Sequence, residues 1–234
     1  MKMKRVKLVA RVVKTEKMKK KNRKIKVLLF IIILVLLGVL GYFGVKKIFS
    51  KKDDKPRVEV VVLDSITEYG YNLSDNDSEL FKKEYNVLKD LLNKDDFDNA
   101  EYSSQVAKLF IIDLYSLNTK INKYDIGGKE FFYSTKVLMY EQKVMDTIYE
   151  TLQDNSYGDR NQQLPNVTSV EVKSIEEVEY TLNKEKVKGY QVKLTWTYDK
   201  DLGYDSKGTV VICKEDGGRW SVVDFQPTLE PKYK

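Results

Sequence analysis

An uncharged run of 19 residues, VLLFIIILVLLGVLGYFGV at 27–45, constrains the fold more than any other feature of this chain. As a helix rising about 1.5 Å per residue, the run would be roughly 28 Å long, close to the hydrocarbon thickness of a bilayer. A buried core helix is the alternative, but the run has no polar face, and Lys/Arg residues flank both of its ends. The sequence therefore predicts a single transmembrane helix over 27–45.

The flanks of this run indicate how it would be processed and oriented. No A-x-A-like site follows it, and no cysteine follows it closely, so cleavage as a signal peptide and lipoprotein processing are both disfavoured. Residues 1–26 hold 13 Lys/Arg and one acid, which predicts a cytoplasmic N-terminus by the positive-inside rule. We expect an uncleaved signal anchor, a single-pass protein of the cell membrane, and a C-terminal domain outside the cell.

Charge divides the chain into a basic arm and an acidic body. From residue 53 to the end there are 24 Lys/Arg against 34 Asp/Glu, whereas residues 1–26 carry a net charge of +12. The arm could bind nucleic acid, but a topology signal in contact with anionic lipid accounts for its charge. The expected partners are the lipid bilayer and other membrane or envelope proteins, and not nucleic acid. The predicted organisation is a basic cytoplasmic tail at 1–26, a transmembrane helix at 27–45, a charged linker at 46–57 and an extracytoplasmic domain at 58–234.

The composition excludes several kinds of chemistry. There is no histidine and a single cysteine, Cys213, so His-dependent catalysis, His-ligated zinc and an internal disulfide are excluded. The paired carboxylates are typical of solvated faces and loop caps, and DNDSELF at 75–81 lacks the central glycine of a calcium loop. Cys213 alternates within a strand pattern and is expected to be a small buried residue. We therefore predict no catalytic residue, no cofactor and no metal, and a protein that is not an enzyme.

Hydrophobic periodicity predicts an α+β domain, with about three helices packed on a curved antiparallel sheet of about four strands. An extended strand is expected over 58–73. Apolar residues then recur at helical spacing, and after residue 165 the period changes to two. The helices are predicted over 78–93, from near 98–103 to about 117, and over 136–152. The strands are predicted over 170–182, 190–198, 208–215 and 219–225.

The segment NKYDIGGKEFFY at 122–133 poses a choice between a phosphate-binding loop and a structural turn. Neither G-x-G-x-x-G nor G-x-x-x-x-G-K-[ST] is present, and no helix-starting pattern follows the glycines. The sequence favours a turn that directs Phe131, Phe132 and Tyr133 into the core. Asp125 is expected to accept hydrogen bonds from local backbone amides.

The ending GTVVICKEDGGRWSVVDFQP, a strand, a glycine turn and a Trp-containing strand, gives the chain its resemblance to the nuclear-transport-factor-2-like superfamily. The order of elements over residues 70–226 is similar to that superfamily's cone of helices on a curved sheet. With the basic tail and the apolar run, the chain looks like the bitopic scaffold subunit of type IV secretion and conjugation machines. Its Lys-rich, cysteine-poor composition resembles that of a low-G+C Gram-positive bacterial protein.

Two functions follow as expectations from these patterns. The first is a non-enzymatic, membrane-anchored scaffold or interaction protein of a bacterial envelope assembly, as the resemblance implies. The alternative is a binding module in which an apolar pocket, lined by Phe131, Trp196, Tyr198 and Trp220, takes a small ligand or peptide. The competing interpretation of these four aromatic residues is ordinary core packing.

Overall fold

The computed structural model describes residues 30, 32–35 and 56–228. The chain divides into two compact units, 1–55 and 56–234. In the first unit, Phe30 and residues 32–35 are helical and their side chains are exposed. The rest of the predicted basic tail and transmembrane segment lies outside the described residues.

The prediction of a transmembrane helix is corrected by the structure. Among the described residues, no helix combines the length and the apolar character needed to cross a bilayer. The longest described helix, Asn99–Tyr115, has 17 residues and would span about 26 Å. It also contains the charged residues Lys108 and Asp113. The predicted single-pass topology, the cell-membrane location and the bitopic fold class are therefore wrong on this finding.

Residues 56–228 form an α+β unit with three helices. The helices are α1 (Glu79–Leu92), α2 (Asn99–Tyr115) and α3 (Val137–Met145). Ser78 caps α1, because its hydroxyl accepts a hydrogen bond from the backbone N–H of Phe81 at 3.2 Å, and the Asp98 carboxylate caps α2 in the same manner. All three helices were predicted, but the third was predicted to reach residue 152. It ends at Met145 because the following residues form tighter turns, in which the Tyr149 hydroxyl donates to the carbonyl of Leu114 at 2.8 Å.

The predicted single strand over 58–73 is a hairpin. Strand β1 (Val62–Ile66) pairs antiparallel with β2 (Tyr71–Ser74) in a separate two-stranded sheet. Gly70 has a φ of +71°, and its N–H donates to the carbonyl of Ile66 at 2.9 Å. The turn requires a left-handed residue, and glycine adopts that conformation at little cost.

The main sheet is antiparallel, in the order β3-β4-β5-β6. Its strands are β3 (Val167–Leu182), β4 (Glu185–Tyr198), β5 (Lys207–Lys214) and β6 (Trp220–Pro227). The four predicted strands are confirmed, and β3 is continuous. Asn183 and Lys184 both have positive φ, so they form the two-residue loop that matches the twist of a hairpin.

One core lies between the helices and the main sheet. Helix α2 is buried along most of its length, as its broad apolar stripe predicts, and it contacts β3, β4, β5 and β6. Phe110 packs on Phe225 of β6, with ring centroids 5.5 Å apart. A smaller cluster of Leu182, Cys213 and Val223 forms a second apolar group, and Cys213 is fully buried as predicted.

Candidate functional site

A cavity of about 410 Å³ lies beside α3 and β6. Its lining comes from α2, from the segment leading into α3, from α3 and the turns after it, and from β3, β6 and the loop before β5. The lining residues are mostly apolar; they are Leu114, Phe132, Lys136, Met139, Tyr140, Lys143, Val144, Thr147, Ile148, Tyr180, Asp205, Val223, Asp224, Phe225 and Pro227.

The cavity exists because the covering segment pairs with only part of an edge strand. Strand β6 is the last strand of the sheet. Phe132 forms a parallel bridge to Val222, and the N–H of Tyr133 donates to the carbonyl of Val222 at 2.8 Å. The chain then enters a short 3₁₀ turn at Ser134–Lys136 and continues as α3. The C-terminal half of β6 therefore borders the cavity.

The walls of the cavity are held in place by packed aromatic rings. Phe132 and Tyr140 stack with centroids 4.2 Å apart and an interplanar angle of 14°. The Tyr140 hydroxyl donates to the carbonyl of Gly127 at 2.6 Å, and burial raises the pKa of Tyr140 well above its ordinary value. Phe225 packs edge-on against Tyr115, 6.1 Å between centroids. These side chains are therefore held by contacts within the chain.

Lys136 supplies a positive charge to this apolar cavity. Its Nζ donates to the hydroxyl of Tyr180 at 3.2 Å and to the carbonyl of Val223 at 3.1 Å, and it lies 5.0 Å from the centre of the Tyr180 ring. All of these partners are neutral. Within the part of the chain that the structure describes, Lys136 forms no ion pair.

Three more charged residues line the cavity. Lys143 is exposed on α3, seven residues after Lys136, so both lie on one side of the helix. The carboxylate of Asp224 accepts a hydrogen bond from the side-chain amide of Gln226 at 3.0 Å, and that of Asp205 accepts one from the Tyr115 hydroxyl at 3.3 Å. Each carboxylate is thus bound by a neutral donor.

The glycine pair at 127–128 belongs to a closed cluster of charges next to this wall. The Asp113 carboxylate accepts a hydrogen bond from the N–H of Gly128 at 2.6 Å and pairs with the buried ammonium of Lys120. Burial alone would lower the pKa of Lys120, but the nearby Asp113, Tyr149 and Asp125 raise it above its ordinary value. This cluster is a structural turn, as predicted.

The aromatic residues that follow the turn also lie as the sequence predicts. Phe131 and Phe132 are buried and Tyr133 is half-buried. Asp125 accepts a hydrogen bond from the N–H of Ile121 at 2.9 Å, which confirms its predicted role. Carboxylates of the chain therefore accept hydrogen bonds from backbone N–H groups in and before this turn, as in a structural turn rather than a phosphate-binding loop.

The four predicted pocket residues do not line the cavity. Phe131 is fully buried and packs against Tyr71, 5.2 Å between centroids. The indole N–H of Trp196 donates to the Tyr198 hydroxyl at 2.7 Å, and that hydroxyl donates to the carbonyl of Asp205 at 2.5 Å. Trp220 borders a separate, more polar groove with Asn99 and Tyr190. Met139, which does line the cavity, lies outside the helical stripe of α3 and looks in the sequence like an exposed surface position.

Metal ligation has no geometric support within residues 30, 32–35 and 56–228. No group of three or more His, Cys, Asp or Glu side chains in those residues is placed to hold a metal ion. Burial raises the pKa of the Cys213 thiol to about 11, so at neutral pH this residue is a protonated apolar side chain rather than a thiolate.

Comparison of the chain with protein-family models, with curated proteins and with solved structures finds no match in any of the three. The resemblance to the nuclear-transport-factor-2-like superfamily and to the secretion scaffold subunit stays a prediction. Any assignment of function to this chain therefore depends on the cavity, its charged residues and the exposed surfaces.

Proposed function

We propose that residues 56–228 form a binding module whose cavity takes a small, largely apolar molecule. The observation that carries this proposal is a cavity of about 410 Å³ with aromatic and aliphatic walls and a few polar groups. Ligand pockets in proteins typically enclose about 300–1,000 Å³ and have this kind of lining. Stacking and hydrogen bonds within the chain hold these walls, so we expect binding to require little reorganisation.

We propose binding rather than catalysis because of how the polar groups are used. The ammonium of Lys136 is bound to a phenol and a backbone carbonyl, and the carboxylates of Asp205 and Asp224 accept hydrogen bonds from neutral donors. An acid–base pair at work in a site would have its two groups within hydrogen-bond reach of one reacting proton. The described groups around this cavity serve as fixed points of charge in an apolar wall.

The neutral fluorescent probe N-phenyl-1-naphthylamine tests the cavity directly. We expect the full chain to bind the probe with increased fluorescence, and Met139→Trp to reduce that binding at least tenfold, since the indole would occupy the cavity. Leu138→Trp is the matched control, because Leu138 is the adjacent exposed residue of α3 and does not line the cavity. Probe binding that is equal in the wild type and in Met139→Trp would contradict the proposal.

A second candidate function is a protein-interaction domain, and a separate surface favours it. Four consecutive apolar residues are between 41% and 58% exposed; they are Val60, Val61, Val62 and Leu63. The last two begin β1, the first strand of the small hairpin. Contiguous apolar residues on an edge strand are a common interaction surface.

Chemical crosslinking of the full chain in cells tests this second candidate. We expect a crosslinked partner protein that is lost in Leu63→Asp and retained in Val87→Asp, where the substituted residue is an exposed valine of α1. Recovery of uncrosslinked chain alone from the wild type would contradict this candidate and would leave the binding module untouched.

A further inference from the structure

We infer that the cavity selects a medium-chain fatty acid, with the carboxylate on Nζ of Lys136 and the chain along the second half of β6. This inference rests on the proposed binding function and adds the class of ligand. It depends on the unbalanced charge of Lys136, on the distribution of charge along the cavity and on the apolar walls.

Lys136 makes fewer hydrogen bonds than its ammonium group can donate. A lysine ammonium has three N–H donors, and two of them are used, toward the Tyr180 hydroxyl and the Val223 carbonyl. Neither acceptor carries a charge, and Lys136 forms no ion pair with any described residue. A ligand carboxylate would receive the third donor and balance the charge, and such charge-assisted hydrogen bonds are the strong ones.

The position of Asp205 along the cavity favours the Lys136 end for a carboxylate. Lys136 is fixed at Val223, whereas Asp205 lies in the loop before β5, whose first residues pair with the end of β6. Val223 and Pro227 are four residues apart, which is about 13 Å along an extended strand. A carboxylate at the Lys136 end is therefore kept away from Asp205. Lys143 also lines the cavity, but it lies seven residues after Lys136, which is about 10 Å along the helix, so Lys136 is the cation at the Val223 end.

Asp224 is the group that opposes this arrangement. It lines the cavity directly after Val223, but its carboxylate accepts a hydrogen bond from Gln226 and forms no ion pair with Lys136. We therefore expect Asp224 to weaken carboxylate binding by repulsion. Its removal provides a variant that should strengthen the proposed interaction without any change to Lys136.

The walls between these charged residues suit an unbranched chain. Met139, Val144, Ile148 and Phe225 contribute aliphatic and aromatic surface, and the volume of about 410 Å³ is that of a small ligand pocket. The ligand that combines one carboxylate with a slim apolar body is a fatty acid of medium length.

Displacement of N-phenyl-1-naphthylamine by decanoate and by decanol tests the inference in the full chain. We expect decanoate to bind about tenfold more tightly than decanol, since a hydrogen bond to a charged group is worth somewhat more than the free energy of a tenfold change. Lys136→Met should abolish the preference and leave decanol binding unchanged. Lys136→Arg should retain it, and Asp224→Asn should increase it.

The control is Lys83→Met, which removes one exposed lysine from α1, outside the cavity lining. This variant should keep the preference for decanoate. If Lys136→Met does not fold, as judged by circular dichroism, the wild-type preference and the Asp224→Asn increase still decide the question.

Three results would overturn the inference. Equal affinity for decanoate and decanol in the wild type would show that Lys136 does not recognise a carboxylate, and it would not contradict the proposed binding function. Displacement of the probe by an apolar tetrapeptide with a free C-terminus at lower concentrations than decanoate would show that the ligand is a peptide rather than a fatty acid. No binding of the probe or of either compound would instead contradict the proposed function itself, so the two failures are distinguishable.

Discussion

Two lysines on either side of the Gly127–Gly128 turn are treated by the fold in opposite ways. Lys120 is buried and its ammonium pairs with Asp113, inside a cluster that also contains Asp125 and Tyr149. Lys136 is half-buried at the edge of a cavity and is bound by neutral groups. The first charge is balanced by an ion pair within the molecule, and the second forms no ion pair with any described residue.

This difference separates a structural charge from one that is available to a ligand. A buried ion pair adds little net stability, but removal of one partner leaves an uncompensated charge that is costly. A lysine that keeps a free N–H donor at a cavity reduces the stability of the fold only a little. Its charge is balanced when a ligand anion binds there. The following predictions test whether these two regions differ as described.

The largest effect is expected from Asp113→Ala. This change leaves the ammonium of Lys120 buried without its main partner and removes the acceptor of the Gly128 N–H, so the free energy of unfolding should fall by about 3–5 kcal/mol. Urea denaturation measures it, with Asp90→Ala on the exposed side of α1 as the control. A loss below about 1 kcal/mol would contradict the view that Lys120 depends on Asp113.

Gly127→Ala should have the next largest effect, because it tests how closely the turn packs on α2. A Cβ at residue 127 would lie 2.1 Å from the carbonyl oxygen of Asp113, which is backbone and has little freedom to move. Overpacking of this kind costs about 1–3 kcal/mol. Gly158→Ala, at a φ of +69° where the added Cβ would lie 3.8 Å from Cγ2 of Val58 without a clash, should cost only about 1 kcal/mol, the strain of a left-handed residue. Thermal unfolding of the two variants should rank them in this order.

The pH dependence of stability tests two carboxyl groups that are repelled by Asp113, those of Glu130 and Asp77. Burial, followed by repulsion from Asp113, raises the pKa of Glu130 to about 8, and burial raises that of Asp77 to about 6. Between the ordinary carboxyl pKa and these values the folded state binds more protons than the unfolded state, so the free energy of unfolding should decrease as pH rises from 5 to 8. Glu130→Gln should flatten this decrease. Stability that rises across the same window, or a slope unchanged in the variant, would refute the assignment.

The smallest effect on stability is expected for Lys136→Met. Its hydrogen-bond partners are neutral and the apolar part of its side chain is retained, so the change in the free energy of unfolding should stay below about 1 kcal/mol. Lys120→Met, measured beside it by urea denaturation, should be clearly more destabilising because Asp113 loses its buried partner. Equal losses in the two variants would remove the distinction between the two regions.

Much of the fold could be predicted from local pattern. The three helices, the strict alternation of Val192, Leu194 and Trp196 in β4, and the structural role of the glycine pair all follow from periodicity and turn chemistry. The hairpin of β1 and β2 was missed because its turn lies within a run of β-forming residues. The transmembrane prediction depended on the uncharged 19-residue run and its basic flanks, and no described helix has the length and apolar character to meet it.

The candidate site was less accessible to this kind of reasoning. Aromatic residues in a strand pattern fit either a pocket wall or ordinary core packing, and Trp196 and Tyr198 form a hydrogen bond to one another and pack in the core. The residues that do line the cavity include Met139, which looks like an ordinary exposed position on a helix, and Val223, which sits at an irregularity in the pairing of β5 with β6. Neither position has a local signal that distinguishes a cavity from a surface.

The order of the elements and the buried faces of the helices and strands follow from local sequence, because these depend on residues within a few positions of one another. Which lysine forms an ion pair and where the cavity opens depend on contacts between distant parts of the chain. Lys136 meets Tyr180 and Val223 across 44 and 87 residues of chain. Contacts of such separation depend on how the sheet and helices pack, and on how far the covering segment follows β6, which no local pattern of residue types encodes.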